Sequence, residues 1–133
     1  MAGKTFHCTA VTPEGKVLDT EAVSAVFPAY DGQQGVLPNH APLLTRMGIG
    51  VLRVTTPGGV REEIYVDSGF AQIADNKLTV LSERAKPVEE LDPEDVELLW
   101  AEARAHTGVS DPAVEARDRA YERARVHQRL TRR

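Results

Sequence analysis

The 133-residue chain predicts an α+β fold by segments: an all-β sandwich or flattened barrel over residues 1–87, then an antiparallel two-helix hairpin over residues 88–133. Two observations carry this reading. Up to about residue 86, short stretches rich in Val, Ile, Thr and aromatics recur between turn residues at sandwich-like spacing. After Pro87 the apolar period lengthens from two to three-and-four, and an Asp-Pro pair occurs twice.

The β elements follow in order. Phe6, Cys8 and Ala10 alternate with Thr5, His7 and Thr9, and Pro13-Glu14-Gly15 turns the chain. Val23 to Phe27 reads as the next strand, closed by Pro28 and the Asp31-Gly32 turn. Gly50–Thr55 and Val60–Asp67 flank Pro57-Gly58-Gly59, the clearest hairpin signal in the chain. Phe70–Ile73 and Leu78–Ser82 flank a second turn, Asp75-Asn76. No stretch of helical length interrupts these strands, so antiparallel pairing of successive strands is expected in preference to a parallel sheet.

The helices follow the second pattern. Asp92-Pro93 places a capping carboxylate before a proline in the first turn, where its missing N–H is harmless. Val96, Leu99, Trp100 and Ala103 follow at helical spacing, and Gly108 is the expected stop. Asp111-Pro112 repeats the starting device. Ala113, Ala116, Ala120 and Ala124 then make a stripe of small residues that permits close approach of a neighbouring helix. The apolar face is thin, so the hairpin is expected to be conformationally mobile.

Composition narrows the function classes. Hydrophobic residues are 41% and charged residues 27%, an ordinary globular balance. No run reaches the roughly 18 apolar residues of a membrane span, and the first residues lack a signal-peptide core, so direct membrane insertion is not expected. Cys8 stands alone in an alternating strand and reads as a buried small hydrophobe. The net charge of −4 is uneven: residues 113–133 carry +4 and the remainder −8. A basic end of this kind points to an acidic partner. Nucleic acid is disfavoured, because the whole chain is acidic and neither Lys nor exposed aromatics accompany the Arg residues.

No catalytic constellation is visible. His7, His40, His106 and His127 lack metal-ligand spacing, the four serines lack a nucleophile elbow, and Gly48-Ile49-Gly50 has neither the third glycine nor the helix of a phosphate loop. No catalytic residue, metal or cofactor is therefore expected. One segment stands apart, Asp31 to Thr45, where two prolines, two glycines and an Asn demand an irregular connection bearing His40. It reads as a sandwich corner with a packed imidazole or as a binding loop.

Within that segment, Gly35-Val36-Leu37-Pro38-Asn39-His40-Ala41-Pro42-Leu43-Leu44-Thr45 resembles the Gly-Ile-Leu-Pro-Gly-His-Ala-Pro-Leu-Leu-Thr hallmark of F-type ATP synthase epsilon subunits. The similarity continues through Gly48, Gly50-Val51-Leu52, Tyr65-Val66-Asp67-Ser68-Gly69-Phe70 and Val80-Leu81, and into the hairpin. Asn39 stands where the family has Gly, an exchange that suits a left-handed backbone.

The resemblance implies a non-catalytic rotor subunit on the cytoplasmic face of a bacterial membrane. Its sandwich would dock on the gamma subunit and the c-ring, with Asp31, Gln33, His40, Leu43 and Leu44 as contacts. Its hairpin, carrying Asp92, Trp100, Arg119, Arg123 and Arg125, would restrain ATP hydrolysis against the alpha and beta subunits. Several members bind ATP through Ile/Leu-Asp-x-x-Arg-Ala; here Leu91-Asp92-Pro93-Glu94-Asp95-Val96 keeps the Asp as Asp92 but places a carboxylate where the Arg belongs. The residues alone also admit a stand-alone ligand- or protein-binding sandwich.

Overall fold

The computed structural model describes residues 4–132, which divide into two compact units, one ending at Pro87 and the other beginning at Val88. The first unit holds ten strands: β1 Phe6–Thr12, β2 Gly15–Ala22, β3 Ser24–Ala29, β4 Gly32–Val36, β5 Leu43–Arg46, β6 Ile49–Thr55, β7 Arg61–Asp67, β8 Phe70–Ala74, β9 Lys77–Leu81 and β10 Arg84–Pro87. They form two five-stranded sheets, ordered β2-β1-β9-β8-β5 and β10-β7-β6-β3-β4. The sandwich expected from the alternating pattern is what forms.

Side chains of one parity fill the space between the sheets. Phe6, Cys8 and Ala10 from β1, Leu78 and Val80 from β9, and Ala71 and Ile73 from β8 meet Phe27, Leu52, Val54, Ile64 and Val66 from the other sheet. Cys8 is fully buried there, and desolvation pushes its thiol up to about 12, which leaves it unreactive at neutral pH.

Successive strands pair antiparallel as expected, β1 with β2, β3 with β4, β6 with β7 and β8 with β9, while β1 and β9, far apart in the chain, run parallel with Cys8 opposite Leu78. The long crossover between them is supplied by the strands of the rest of the domain, where a helix was the usual expectation. Two expectations need correction. Pro28 does not end its strand: β3 continues to Ala29, because pairing with β6 has already stopped at Arg53–Val26 and no ladder bond needs the missing N–H. The Asp31–Thr45 segment is not irregular throughout either. It contributes β4 and β5, and only Asp31 and residues 37–42 lie outside strands.

The corner joining the sheets is fixed sterically. Ser68 (φ 62°) and Gly69 (φ 103°) turn the chain from β7 into β8. A Cβ at Gly69 would lie 1.9 Å from the Leu81 carbonyl oxygen, so no side chain fits. Asp67, fully buried beside this turn, accepts from the Tyr65 hydroxyl (2.9 Å) and the Ser68 hydroxyl (3.0 Å). Its own amide donates to Ser82 Oγ at 2.9 Å. One hydroxyl thus ties β7 to the segment between β9 and β10.

The second unit begins with a 3₁₀ turn, Val88–Glu90, and holds two helices, α1 Asp95–Arg104 and α2 Asp111–Thr131. Asp92 does not cap α1 directly. Its Oδ1 accepts from the Glu94 amide at 2.9 Å in a turn that precedes the helix, and Glu94 is the capping position. In α2 the cap is Ser110, whose hydroxyl accepts from the Ala113 amide at 3.3 Å, which moves Asp111 and Pro112 into the first turn. Nor is Gly108 the stop for α1, which closes at Ala105 in a right-handed conformation. A Cβ on Gly108 would meet the Ala113 Cβ at 2.5 Å, so the glycine allows the connection to pass close to α2. Ala120 and Ala124 of the small stripe are buried, as is Ala103 of α1. The rings of Trp100 and Tyr121 meet at 6.0 Å with a 60° tilt, joining the two helices.

Candidate docking surface

Strand alternation places a second set of side chains on the outer face of the β2-β1-β9-β8-β5 sheet. The register aligns Val11 with Leu81, Leu81 with Phe70, and Phe70 with Arg46. The next row runs Thr9, Thr79, Gln72 and Leu44. Phe70, Leu81 and Leu44 are 50%, 52% and 67% exposed, so three large apolar side chains lie on one solvent-facing surface. None of the interior demands them: Ala71, Ile73, Leu78 and Val80 already fill the core from these strands.

The loop at residues 37–42 borders this face, where the chain passes from β4 in one sheet to β5 in the other. Asn39 is left-handed at φ 64°, as its replacement of Gly requires. Its amide donates to Asn76 Oδ1 at 2.8 Å, and Asn76 Nδ2 donates to the Thr5 carbonyl at 2.8 Å. The Asp75-Asn76 turn (φ 51° and 59°) therefore pins the loop and the start of β1 together. His40 is half-buried, with Nδ1 donating to the Ala41 carbonyl at 2.7 Å and Nε2 3.5 Å from Gln34 Nε2. Its contacts are local to the loop and β4, outside the hydrophobic core.

The five sandwich residues expected as contacts fall into two places. His40, Leu43 and Leu44 sit at the loop and the start of β5, with Leu44 exposed and Leu43 half-buried against the core. Asp31 and Gln33 are exposed at the β3–β4 turn, the other end of β4. There Tyr30 is 69% exposed, and the Arg46 guanidinium lies 4.8 Å from its ring centre. Phe70 and Leu81 were missed by the sequence reading. Their signal was present: each is a large apolar residue out of phase with the buried members of its own strand.

On the second unit, Asp92, Arg119 and Arg125 are exposed, while Trp100 and Arg123 are half-buried. Arg125 bridges Glu122 at 3.1 Å. Five Arg on α2 are nearly balanced by Asp111, Glu115, Asp118 and Glu122, and the positive excess gathers toward its end, where Arg123, Arg125, Arg129 and Arg132 follow the last acidic residue. Among the described residues no group of three or more His, Cys, Asp or Glu could hold a metal ion, and no helix is long and apolar enough to cross a membrane.

Residues 5–88 match the beta-sandwich domain of the ATP synthase Delta/Epsilon chain. The ATP synthase epsilon chain of Desulfitobacterium hafniense is 48% identical over 92 residues, 69% of this chain and 68% of that one. The epsilon chain of Rhodopirellula baltica is 39% identical over 127 residues, 96% of this chain and 98% of its own length. A chain in the solved mitochondrial ATP synthase of Euglena gracilis, in its OSCP/F1/c-ring assembly, superposes with a TM-score of 0.80 at 21% identity, covering 98% of this chain and 84% of that one. Another, from the central stalk and c-ring of the Tetrahymena thermophila enzyme, gives 0.75 at 12% identity over 98% and 99% of the two chains. These two structures share the fold of the sandwich and hairpin. With the family match over most of the chain and a relative similar along nearly its whole length, the chain belongs to the ATP synthase epsilon chain family.

Proposed function

We propose that this chain is the non-catalytic epsilon subunit of a rotary ATP synthase, turning with the central stalk and coupling proton flow to ATP synthesis. The observation that carries the docking assignment is the exposed apolar row Phe70–Leu81 with Leu44 beside it. Burying the exposed part of three such side chains would favour association by roughly 1–2 kcal/mol each before ordering costs. The gamma subunit is the partner assigned to that face, with the pinned His40 loop at its border. The Tyr30–Asp31–Gln33 end, polar and at the opposite end of β4, is assigned to the c-ring.

The helical unit supplies the regulatory part of the reading. The basic end of the chain after Glu122 suits acidic surface on the catalytic alpha and beta subunits, a charge-complementary restraint on ATP hydrolysis. Asp92 serves the turn before α1, and Asp95 puts a carboxylate in place of the phosphate-binding Arg, so the restraint operates without bound ATP. The subunit would sit on the cytoplasmic face of a bacterial membrane through these partners. Affinity capture of the tagged chain from its native membranes tests the assignment. Recovery of gamma, c, alpha and beta subunits supports it, and recovery of the chain alone points to the stand-alone binding sandwich.

A further inference from the structure

At the edge of the first sheet His7 is held through both ring nitrogens. Nδ1 meets Glu21 Oε1 at 3.0 Å, and Nε2 meets Asp19 Oδ1. Both carboxylates belong to β2, where Glu21 is the cross-strand partner of His7 and Asp19 that of Thr9. Lys16 Nζ closes the far side of Asp19, 3.0 Å from Oδ2. From β9, Lys77 is in register with His7.

Beyond its backbone ladder with β1, the strand being held has few buried side chains to anchor it. β2 is an edge strand paired on one side only, and Ala22 is its one fully buried residue, with Val17 and Leu18 partly packed on the core. A neutral imidazole has one N–H and one lone pair, so it satisfies one carboxylate and opposes the other. Only the imidazolium donates to both.

We propose that His7, Asp19 and Glu21 form a proton-operated clasp, fastening edge strand β2 to β1 when His7 is protonated and loosening it when the imidazole is neutral. The clasp stands on the strand pairing alone and is independent of the docking assignment. The hydrogen bonds to Glu21 and then Asp19 raise His7 above its ordinary value of 6.5. Asp19 is lowered, first by Lys16 and then by His7, and Glu21 is lowered by His7 and then Thr5. Because the folded value of His7 is raised, its contribution is complete below 6.5 and disappears as pH rises through the raised value. The lowered carboxylates contribute above their ordinary values of 3.8 and 4.5 and are lost on acidification. The clasp is therefore strongest between those limits. All three groups are open to solvent, so its effect is small.

Nuclear magnetic resonance on the full chain tests this by following the His7 ring and the amide exchange of residues 16–21, corrected for intrinsic rates. His7 should titrate above 6.5, and protection of β2 should fall about twofold to fivefold between about pH 6 and pH 9, the size an exposed ion pair supports. The double substitution Asp19→Asn and Glu21→Gln should bring His7 back toward its ordinary value and abolish the pH dependence. The proposal fails if His7 titrates at or below 6.5, if β2 protection is equal at the two pH values, or if its pH dependence survives in the double variant.

Discussion

The amide of Asn39 donates to the side chain of Asn76 at 2.8 Å, joining the 37–42 loop to a hairpin turn 37 residues away in sequence. Because Asn76 also donates to the Thr5 carbonyl, one amide side chain locates three segments at the edge of the apolar face.

Replacing Asn76 with Gly keeps its left-handed backbone accessible and removes both hydrogen bonds. Chemical denaturation should show a loss of about 1–2 kcal/mol, near twice the net worth of a single bond. Asn39→Gly should be nearly neutral, while Asn39→Ala should cost about 1 kcal/mol through its positive φ. An Asn39→Ala variant as stable as Asn39→Gly would refute the conformational explanation.

The corner between the sheets should tolerate no side chain. Gly69→Ala places a Cβ against the Leu81 carbonyl, a mechanism of the kind that costs more than about 4 kcal/mol, and soluble folded protein should be largely lost. Ser82→Ala should fold but lose about 1–3 kcal/mol in thermal or urea melts, since it leaves the buried Asp67 amide without its acceptor. Wild-type stability for either variant would show that the corner relaxes at little cost.

Trp100 is the single tryptophan, so its fluorescence reports on the helical hairpin alone. Tyr121→Ala should shift the fluorescence-detected melt downward, with about 0.5–1.5 kcal/mol lost from the ring pair beyond its buried area. The far-ultraviolet signal of the sandwich should melt as before.

Truncation after Pro87 should raise ATP hydrolysis by the assembled enzyme, and Arg119→Glu, Arg123→Glu and Arg125→Glu together should reproduce much of the rise. Salt should weaken the restraint in the intact subunit, since the Debye length falls from about 10 Å at 0.1 M to about 3 Å at 1 M. Calorimetry with millimolar ATP should show little heat for the isolated subunit. Unchanged hydrolysis after truncation would remove the restraint from this account, and tight ATP binding would restore Asp92 as a ligand.

The strands legible in the sequence are the central ones. β1, β3, β6, β7, β8 and β9 carry recurrent apolar residues because each buries at least one face, β1, β8 and β9 in clear alternation, whereas the unrecognised β2, β4, β5 and β10 are the four sheet edges. Edge strands such as Gly32-Gln33-Gln34-Gly35 need no continuous apolar parity, and polar residues, Gly and Pro protect them from pairing with other chains. Local hydrogen bonds decided the helix starts, which shifted both caps by one or two residues from the Asp-Pro signals. For Phe70 and Leu81 the outward phase was legible within each strand, whereas their lying side by side depends on strand register, which only the paired sheet fixes.

The central claim is that the outer face of the β2-β1-β9-β8-β5 sheet docks the gamma subunit. Its most direct measurement is the affinity of purified gamma for the full chain against the Phe70→Glu, Leu81→Glu double variant, whose substitutions lie on solvent-exposed positions. The account predicts at least a tenfold loss of affinity, the effect of about 1.4 kcal/mol, with melting temperature and circular dichroism unchanged. Equal affinity for a variant that folds normally would place the gamma subunit on a different surface.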